Sequence, residues 1–411
     1  MKKICIVGGG FGGLEALKHL KEGLSGRRNV RVTLINERSH FLFTPVLPDV
    51  ASGSVSSRSA QLRLAQLLDD GRFELICGRA ERFDLERRQV SVGERRVDFD
   101  HLIVAVGSEI DWRGLEDPDK LAMGWKGAED AQRIYRAVVS AFDGAGKVED
   151  EAALRRRLTF VVAGAGASGV ELTAELVSGV RRALLPRAGA QAARAFRVVL
   201  VEPRGAALPD FAAPLQARAA GALGRLGVEM IFGDRVEAVS AGEVRLGSGD
   251  RIEADHLIWA GGVKAPSWLS GSGLPLTGEG WIEVDDRLCA VDGVFAIGDA
   301  ARRRRGEPWP MTAQCAVQQG PVAANNVLMD MVGASLDPFE YAHFGDLIRL
   351  GERDGIFQLG GLRLTGPTAW GLIRLAQVML APTMTKKMAL LGEWMENVVR
   401  GHEWTRLPIE G

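Results

Sequence analysis

The sequence is poor in cysteine and histidine. It has four cysteines in 411 residues, Cys5, Cys77, Cys289 and Cys315, and no two of them form a CxxC or CxxxxC pair. A disulfide scaffold is therefore excluded, because disulfide-rich folds carry many closely spaced cysteines in a short chain. The six histidines show no HxH or HxxxH spacing, so the sequence predicts no metal site.

Long apolar runs and an excess of one charge are also lacking. No apolar run reaches the roughly 18 residues of a membrane span. The chain begins Met-Lys-Lys and enters a strand pattern at once, which leaves no room for the apolar core of a signal peptide. We therefore expect a reduced, cytoplasmic protein that does not span the membrane. The 51 basic and 52 acidic residues nearly cancel, so nucleic acid is not an expected partner.

Glycine, in contrast, is abundant, and its first cluster reads Gly8-Gly9-Gly10-Phe11-Gly12-Gly13. This cluster lies between a β-branched run at 4–7 and a helical stretch at 14–24, and a second strand follows at 30–35. In such a unit the first glycine of GxGxxG makes a tight turn, the second admits a pyrophosphate and the third lets the helix pack on the strand. The sequence therefore predicts a dinucleotide site. Asn36 stands where the ribose-binding acid is expected, and Glu37 is the better acceptor.

A second unit of the same design begins near residue 158. Its strand at 158–162 leads into Gly164-x-Gly166-x-x-Gly169, then a helix at 170–185 and a strand at 196–201 that ends at Glu202. Two such units in one chain imply that the protein binds two dinucleotides.

Four further segments carry candidate site residues. The segments 100–107 and 255–262 each consist of an acidic residue, an apolar strand and a glycine turn, and each either closes a dinucleotide-binding sheet or is an ordinary strand and turn. The strand at 294–297 leads into Gly298-Asp299, which offers a carboxylate at a strand's carboxyl end. On a helix that starts at Thr312, Gln314 and Gln318 share one face, either as site residues or as two solvated glutamines.

The end of the chain is predicted to form two amphipathic helices. The first, at 368–380, is apolar except for a polar position at every third residue, and Pro382 ends it. The second has one apolar stripe, which consists of Met384, Met388, Leu391, Met395 and Val398. Such a pair packs on the protein's own core, on a second subunit or on a membrane surface, where Arg374, Lys386 and Lys387 are expected to meet anionic headgroups.

Together these residues resemble the flavin-dependent pyridine nucleotide oxidoreductases with two dinucleotide domains, and within them the type II NADH:quinone oxidoreductases. The segment 312–320 and the amphipathic tail indicate the quinone reductase branch, since the whole superfamily shares the glycine motifs. Asn36 and Val106 depart from the family pattern, and the cysteine pairs of the disulfide and sulfide:quinone reductases are missing. Cys315 is therefore expected to be a small apolar filler. The blocks that carry the resemblance are 6–14, 40–45, 162–172, 259–265, 294–300 and 312–320.

The resemblance implies an α/β fold with two Rossmann-like dinucleotide-binding domains, one for FAD and one for NADH, and an amphipathic helical C-terminal region. The implied divisions are 1–110 for the first part of the FAD-binding domain, 111–154 for a connecting segment, 155–262 for the NADH-binding domain, 263–334 for the second part of the FAD-binding domain, and 335–411 for a membrane-surface or dimerisation region.

The resemblance also implies the reaction and its residues. Hydride would pass from NADH to the flavin, and two electrons would then pass to a membrane quinone without proton pumping. Glu171, Gln314 and Gln318 would be catalytic, and Asp299 would bind the ribityl chain. The full set of implied cofactor-binding residues is Gly8, Gly10, Phe11, Gly12, Gly13, Asn36, Glu37, Pro45, Gly107, Gly164, Gly166, Ser168, Gly169, Glu202, Gly261, Gly298, Asp299 and Ala313.

The expected setting is a homodimer, peripheral on the inner face of the cell membrane and attached through the C-terminal helices. Two alternatives stay open at this point. One is an NADH oxidoreductase of the same fold that uses a protein or a soluble acceptor. The other is an FAD- and NADH-binding interaction protein that resembles apoptosis-inducing factor.

Overall fold

The computed structural model describes residues 1–27, 29–68 and 71–400, with side chains described as far as Met395. These residues form two compact units, and the chain passes between them several times. The short strands His40–Leu42, Gln61–Arg63, Glu109–Ile110 and Val263–Lys264 lie at the crossing points. The first unit contains Met1–Phe41, Leu62–Glu109 and Val263–Phe344, and the second contains Leu42–Gln61, Ile110–Gly262 and the chain from Gly345 onward.

The first unit is built on a six-stranded sheet. Its strands are buried because they are β-branched and apolar, as in Ile4-Cys5-Ile6-Val7, where all four residues are buried. Five strands are parallel, and only the edge strand runs against its neighbour. In spatial order the strands are Cys289–Val291, Val294–Ala296, His101–Val104, Lys2–Val7, Val30–Asn36 and Phe73–Cys77.

Two long helices of the first unit pack closely on each other: Phe11–Gly23, called here the first nucleotide helix, and Ala313–Asp330, called the glutamine helix. Gly320 makes this contact possible, because a Cβ on it would lie 2.6 Å from the Gly12 carbonyl oxygen. The smaller elements of this unit are the antiparallel sheet Arg82–Asp84, Gln89–Val92 and Arg95–Asp98, the parallel pair Ile282–Val284 and Ala301–Arg303, and the 3-10 turns Leu64–Leu67, Ser267–Gly271 and Gly298–Ala300.

The second unit contains a five-stranded parallel sheet. Its order is Met123–Gly124, His256–Trp259, Thr159–Ala163, Arg197–Glu202 and Glu229–Phe232. The helix Ala167–Ala183, called here the second nucleotide helix, follows the central strand. The other helical elements up to residue 225 are Thr44–Val46, Leu47–Ala51, Pro118–Leu121, Ala128–Ala145, Glu151–Arg157, Leu185–Arg187, Gly189–Ala195 and Ala213–Arg225, and an antiparallel sheet is formed by Val236–Ser240, Glu243–Leu246 and Arg251–Glu253.

The last part of the second unit is a three-stranded antiparallel sheet followed by two helices. The strands are Asp346–Arg349, Gly355–Leu359 and Leu362–Thr365. The helices Pro367–Leu380 and Met384–Arg400 are called here the tail helices. Proline stands at the first position of the first tail helix, where its missing N–H costs no hydrogen bond.

The predicted α/β fold class with two Rossmann-type sheets is confirmed. The predicted starts of the two nucleotide helices, at residues 14 and 170, are too late, because in the structure these helices begin at Phe11 and Ala167. The small residues at the end of each glycine motif have the composition of a loop, yet in the structure they form the first turn of the helix. The three-stranded sheet before the tail helices was not anticipated from the sequence.

Candidate active site

The first glycine loop is held by close backbone packing and leaves one position open. A Cβ on Gly8 would lie 2.1 Å from the Ala105 carbonyl oxygen, and a Cβ on Gly13 would lie 1.9 Å from the Gly8 carbonyl oxygen. Any larger residue at either position would force the loop apart. A Cβ on Gly10, in contrast, would meet no described atom within 4 Å. The loop therefore has room for a pyrophosphate above its second glycine, at the helix amino terminus.

Asn36 holds this loop from the end of the neighbouring strand. Its Oδ1 accepts a hydrogen bond from the Gly9 N–H at 2.7 Å, and its Nδ2 donates to the Arg38 carbonyl at 2.7 Å. The Glu37 side chain is exposed. In this arrangement Asn36 supports the loop backbone, while Glu37 offers a carboxylate to solvent.

The second glycine loop repeats the geometry of the first. A Cβ on Gly164 would lie 2.4 Å from the Ala260 carbonyl oxygen and one on Gly169 would lie 2.0 Å from the Gly164 carbonyl oxygen, while one on Gly166 would meet no described atom within 4 Å. The residues around the second loop therefore fit a dinucleotide in the same way as the residues around the first loop do.

Glu202 supports the second loop. Its Oε2 accepts from the Ala165 N–H at 2.7 Å, and its Oε1 accepts from the backbone N–H and Nε of Arg204, both at 3.1 Å. Arg204 also pairs with Asp210 at 2.5 Å. Ser168, in the first turn of the second nucleotide helix, accepts a hydrogen bond from the Trp125 indole at 2.8 Å.

Asp299 is fixed by two residues that the sequence did not single out. The Ser108 hydroxyl donates to its Oδ2 at 2.9 Å, and Gln319 accepts a hydrogen bond from the Gly298 N–H at 2.6 Å. Gln319 is 1% exposed, and Gly298 has a positive φ of 68°, so the turn before Asp299 is held from inside the unit. The only signals in the sequence were that Ser108 follows Gly107 and that Gln319 lies in the 312–320 block.

Gln314 and Gln318 both bind the chain segment at 341–344. Gln314 Oε1 accepts from the Tyr341 hydroxyl at 2.6 Å and from the Phe344 N–H at 2.9 Å. Gln318 donates to the Ala342 carbonyl at 2.8 Å and accepts from its N–H at 3.0 Å. Both side chains are therefore hydrogen-bonded to the protein and not only to solvent, and their role as site residues stays a prediction.

The glutamine helix begins with a side-chain cap. Thr312 accepts a hydrogen bond from the Cys315 N–H at 3.2 Å, which stabilises the amino terminus next to Ala313. Burial, and secondarily the charge of Asp299, raises the pKa of the Cys315 thiol to about 12. Cys315 is thus a protonated, buried side chain, which fits the expected role of an apolar filler.

Glu171 lies on the second nucleotide helix, in the second unit, whereas the two glutamines lie in the first. Its Oε1 accepts a hydrogen bond from the Arg349 backbone N–H at 2.9 Å. Burial raises the pKa of the Glu171 carboxyl above its ordinary value, and the Arg349 charge offsets part of that rise. The side chain keeps 20% of its surface exposed.

The tail helices present an apolar surface. Their exposed side chains are Leu375, Met379, Leu380, Met384, Met388, Leu391 and Met395, with exposed fractions from 38% to 71%. The expectation that Arg374 meets headgroups is wrong, because its guanidinium is turned inward and pairs with Asp49 at 2.7 Å. Lys386 is half-buried and donates to the Arg58 carbonyl. Within the described part of the chain, no helix is both long and apolar enough to cross a bilayer.

The chain contains two sheets with parallel central strands, and each carries a glycine loop that leaves its second glycine open. This combination defines the two-dinucleotide class of oxidoreductase folds. Comparison with known proteins agrees. The family model for pyridine nucleotide-disulphide oxidoreductases matches residues 2–320. The structure of NDH2 from Plasmodium falciparum in complex with NADH superposes with a TM-score of 0.89 at 17% identity, over 98% of this chain and 100% of that chain, which shows the shared fold.

Two curated relatives narrow the class. The type II NADH:quinone oxidoreductase Ndh of Mycobacterium tuberculosis is 30% identical over 90% of this chain and 82% of its own length. The demethylphylloquinone reductase NdbB of Synechocystis is 26% identical over 96% of this chain and 98% of its own length. The chain belongs to the pyridine nucleotide-disulphide oxidoreductase family and, within it, to the type II NADH:quinone oxidoreductases. Its cofactors are accordingly FAD and NADH.

Proposed function

We propose that the protein oxidises NADH and reduces a membrane quinone through FAD, without pumping protons. The observation that carries the proposal is the pair of equivalent glycine loops, each with an open backbone position for a pyrophosphate. The mycobacterial and cyanobacterial relatives, whose names state quinone or demethylphylloquinone reduction, support quinone as the electron acceptor.

The first unit would hold FAD and the second would hold NADH. The divisions 1–110 and 263–334 for FAD, and 155–262 for NADH, stay part of this proposal. FAD, when bound, supplies the redox chemistry, because it accepts a hydride from NADH and returns two electrons to an acceptor. Gly10 would face the FAD pyrophosphate, Glu37 the adenosine ribose and Asp299 the ribityl chain. Gly166 and Ser168 would face the NADH pyrophosphate, with Glu202 at the ribose end. The roles of the other cofactor-binding residues stay predictions.

Glu171, Gln314 and Gln318 are our candidates for the quinone site. Gln314 and Gln318 would shape it through the segment 341–344, which both side chains hold in place. Glu171 contributes a carboxyl group whose pKa burial raises above its ordinary value, so the group holds a proton more readily than a solvent-exposed glutamate does. The amino terminus of the glutamine helix, which Thr312 caps, would favour negative charge on a cofactor held beside it.

The tail helices would attach the protein to the inner face of the cell membrane. Quinones partition into lipid, and an interfacial helix pair with a wide apolar face suits that location. Because Arg374 is turned inward and Lys386 is bound to Arg58, the attachment would depend mainly on apolar contact rather than on anionic lipid. Burial of the same face in a homodimer is the competing proposal, and the two can coexist.

Steady-state turnover tests the proposal against its alternatives. The flavin-loaded protein should consume NADH with a water-soluble quinone as acceptor. In proteoliposomes this turnover should move no protons across the membrane and should change the pH only through the one proton that each NADH oxidation consumes. Turnover with a ferredoxin-like protein but not with quinones would favour the oxidoreductase with a protein acceptor. Binding of FAD and NADH with no turnover in either assay would favour the interaction protein.

A further inference from the structure

The second unit contains a buried cluster of five charged residues of which the proposed function uses only one. The cluster consists of Asp49, Glu171, Glu175, Arg349 and Arg374, called here the charge cluster. The side chains of Asp49 and Arg349 are 0% exposed, that of Glu175 is 4% exposed and that of Arg374 is 13% exposed. Burying charges to this extent is costly unless they are paired, so the cluster calls for a reason beyond surface solvation.

Arg349 is the centre of the charge cluster. Its Nη1 donates to Asp49 Oδ2 at 2.5 Å, its Nη2 donates to the Pro45 carbonyl at 3.0 Å, and its backbone N–H donates to Glu171 at 2.9 Å. Its Nε lies 3.6 Å from Glu171 Oε1 and has no hydrogen-bond partner among the described residues. One arginine therefore faces Glu171 with both its backbone and its guanidinium.

Asp49 and Arg374 fix the direction in which Arg349 points. Arg374 reaches Asp49 from the first tail helix with two hydrogen bonds, Nη2 to Oδ1 at 2.7 Å and Nη1 to Oδ2 at 3.0 Å. Arg349 meets the same carboxylate with one nitrogen only, Nη1, which also lies 3.6 Å from Glu175 Oε1. The Nε edge of its guanidinium is left directed at Glu171 rather than at Asp49.

We propose that Arg349 is a positioning residue that holds the Glu171 carboxyl group for proton transfer to the quinone. The proposal rests on the proposed function of Glu171. Reduction of a quinone to a quinol needs two electrons, supplied by NADH, and two protons. In one of these transfers the O–H bond of the protonated Glu171 breaks as an O–H bond to a quinone oxygen forms, and water then returns a proton to the carboxylate.

The charges that face Glu171 determine the direction of the expected effect. Arg349 faces it from the strand Asp346–Arg349, Glu175 from the next turn of its own helix, and Asp49 from the helix Leu47–Ala51. The burial of Glu171 and the two carboxylates raise its pKa, and Arg349 is the positive neighbour that lowers it. Removing the Arg349 charge should therefore raise the pKa of Glu171 further. A rate that needs protonated Glu171 should then persist to higher pH.

The test uses the FAD-loaded protein, reduced by NADH without oxygen and mixed rapidly with a water-soluble quinone over a range of pH. In wild-type protein the reoxidation rate, plotted against pH, should fall at high pH along a single descending limb. In Arg349→Met this limb should move to higher pH by about one unit or more, as expected for loss of one close charge. Arg349→Lys, which keeps the charge, should bring the limb back to near its wild-type position. Flavin reduction by NADH should change little in all of these variants.

A second measurement does not depend on turnover. The infrared carboxyl band of Glu171, identified by its loss in Glu171→Gln, should titrate at higher pH in Arg349→Met than in wild-type protein. Arg349→Gln removes the charge but keeps a polar partner for Asp49, and it replaces the methionine variant if that one does not fold. Arg218→Met is the matched control, because it breaks another partly buried arginine pair of this unit, with Asp354, and should leave the limb in place.

The outcomes separate the two proposals. If Glu171→Gln keeps both the limb and the wild-type reoxidation rate, the role of Glu171 is wrong. If Glu171→Gln abolishes the limb but Arg349→Met and Arg349→Gln leave it unmoved, the positioning role of Arg349 is wrong. The same conclusion holds if Arg218→Met moves the limb as far as Arg349→Met does, since the effect would then be a general one of charge or stability.

Discussion

Asn36 and Glu202 make the same contact in the two dinucleotide-binding sheets. Each ends the strand next to its glycine loop, and each accepts a hydrogen bond at 2.7 Å from the N–H after the first glycine, that of Gly9 or that of Ala165. A neutral amide in one sheet and a carboxylate in the other thus support the glycine loop in the same way. The departure of Asn36 from the family pattern removes a negative charge but keeps the support of the loop.

From the position of Glu202 we expect the protein to prefer NADH to NADPH. Its carboxylate binds Arg204, which also pairs with Asp210, so the guanidinium is already engaged by two carboxylates. Glu202→Gln keeps an acceptor for the Ala165 N–H but removes the charge that repels a 2′-phosphate and holds Arg204. We expect the ratio of kcat/KM for NADH to that for NADPH to fall about tenfold, or ~1.4 kcal/mol. An unchanged ratio in flavin-reduction kinetics would show that Glu202 does not discriminate.

Gln314 should matter for the quinone step rather than for the NADH step. Gln314→Ala leaves the Phe344 N–H and the Tyr341 hydroxyl without their shared acceptor, so the segment 341–344 should lose its position. We expect quinone reduction to slow about tenfold while flavin reduction by NADH changes less than about twofold. Tyr341→Phe is the control, because it removes one of the two hydrogen bonds and should have the smaller effect. Wild-type quinone turnover in Gln314→Ala contradicts the prediction.

Asp49 should make the free energy of unfolding depend on pH in the acid range. Burial alone would raise the pKa of its carboxyl, but the charges of Arg349 and Arg374 outweigh burial and hold the pKa at about 2, against an ordinary 3.8. Because the native carboxylate binds its proton less readily than the unfolded one, its contribution is present above about pH 4 and is lost as the pH falls towards 2.

Asp49→Asn tests this contribution. The substitution leaves two arginines without their carboxylate, and we expect it to cost about 3–5 kcal/mol at neutral pH. Thermal unfolding midpoints should fall by several degrees in the variant, and the decline between pH 4 and 2 should be shallower than in wild-type protein. Equal midpoints for the two proteins at neutral pH would contradict the pairing seen in the charge cluster.

The tail helices should bind lipid through their exposed methionines. Met379 is 64% exposed and Met388 62% exposed, and replacing both with glutamate should weaken binding to liposomes by tenfold or more, on the order of the loss of two buried apolar side chains. FAD content and NADH reduction should persist. Val332→Glu is the control, since Val332 is 63% exposed but lies outside the tail helices. Because the contact with lipid is mainly apolar, binding of the wild-type protein to liposomes should also change little with salt concentration. A double variant that still sediments with liposomes, but no longer dimerises, would assign this face to the homodimer.

Elements with a local cause could be predicted from the sequence. The glycine loops are one example, because Gly8 and Gly13 are needed wherever a helix packs this closely on a strand. Contacts between distant segments could not be predicted. Gln319 and Ser108 reach the 298–299 turn only in the folded unit, and Arg349 meets Glu171 across a separation of 178 residues. The amphipathic pattern of the first tail helix could not show that Arg374 has the buried partner Asp49.

The most direct test of the central claim is a two-step reaction without oxygen. The FAD-loaded protein is first reduced by one equivalent of NADH and then mixed with a menaquinone or ubiquinone analogue. We predict that NADH bleaches the flavin absorbance and that one equivalent of quinone restores it completely. Rapid bleaching by NADH followed by no recovery with either quinone, while a ferredoxin-like protein or a dye restores the colour, would contradict the assignment as an NADH:quinone oxidoreductase.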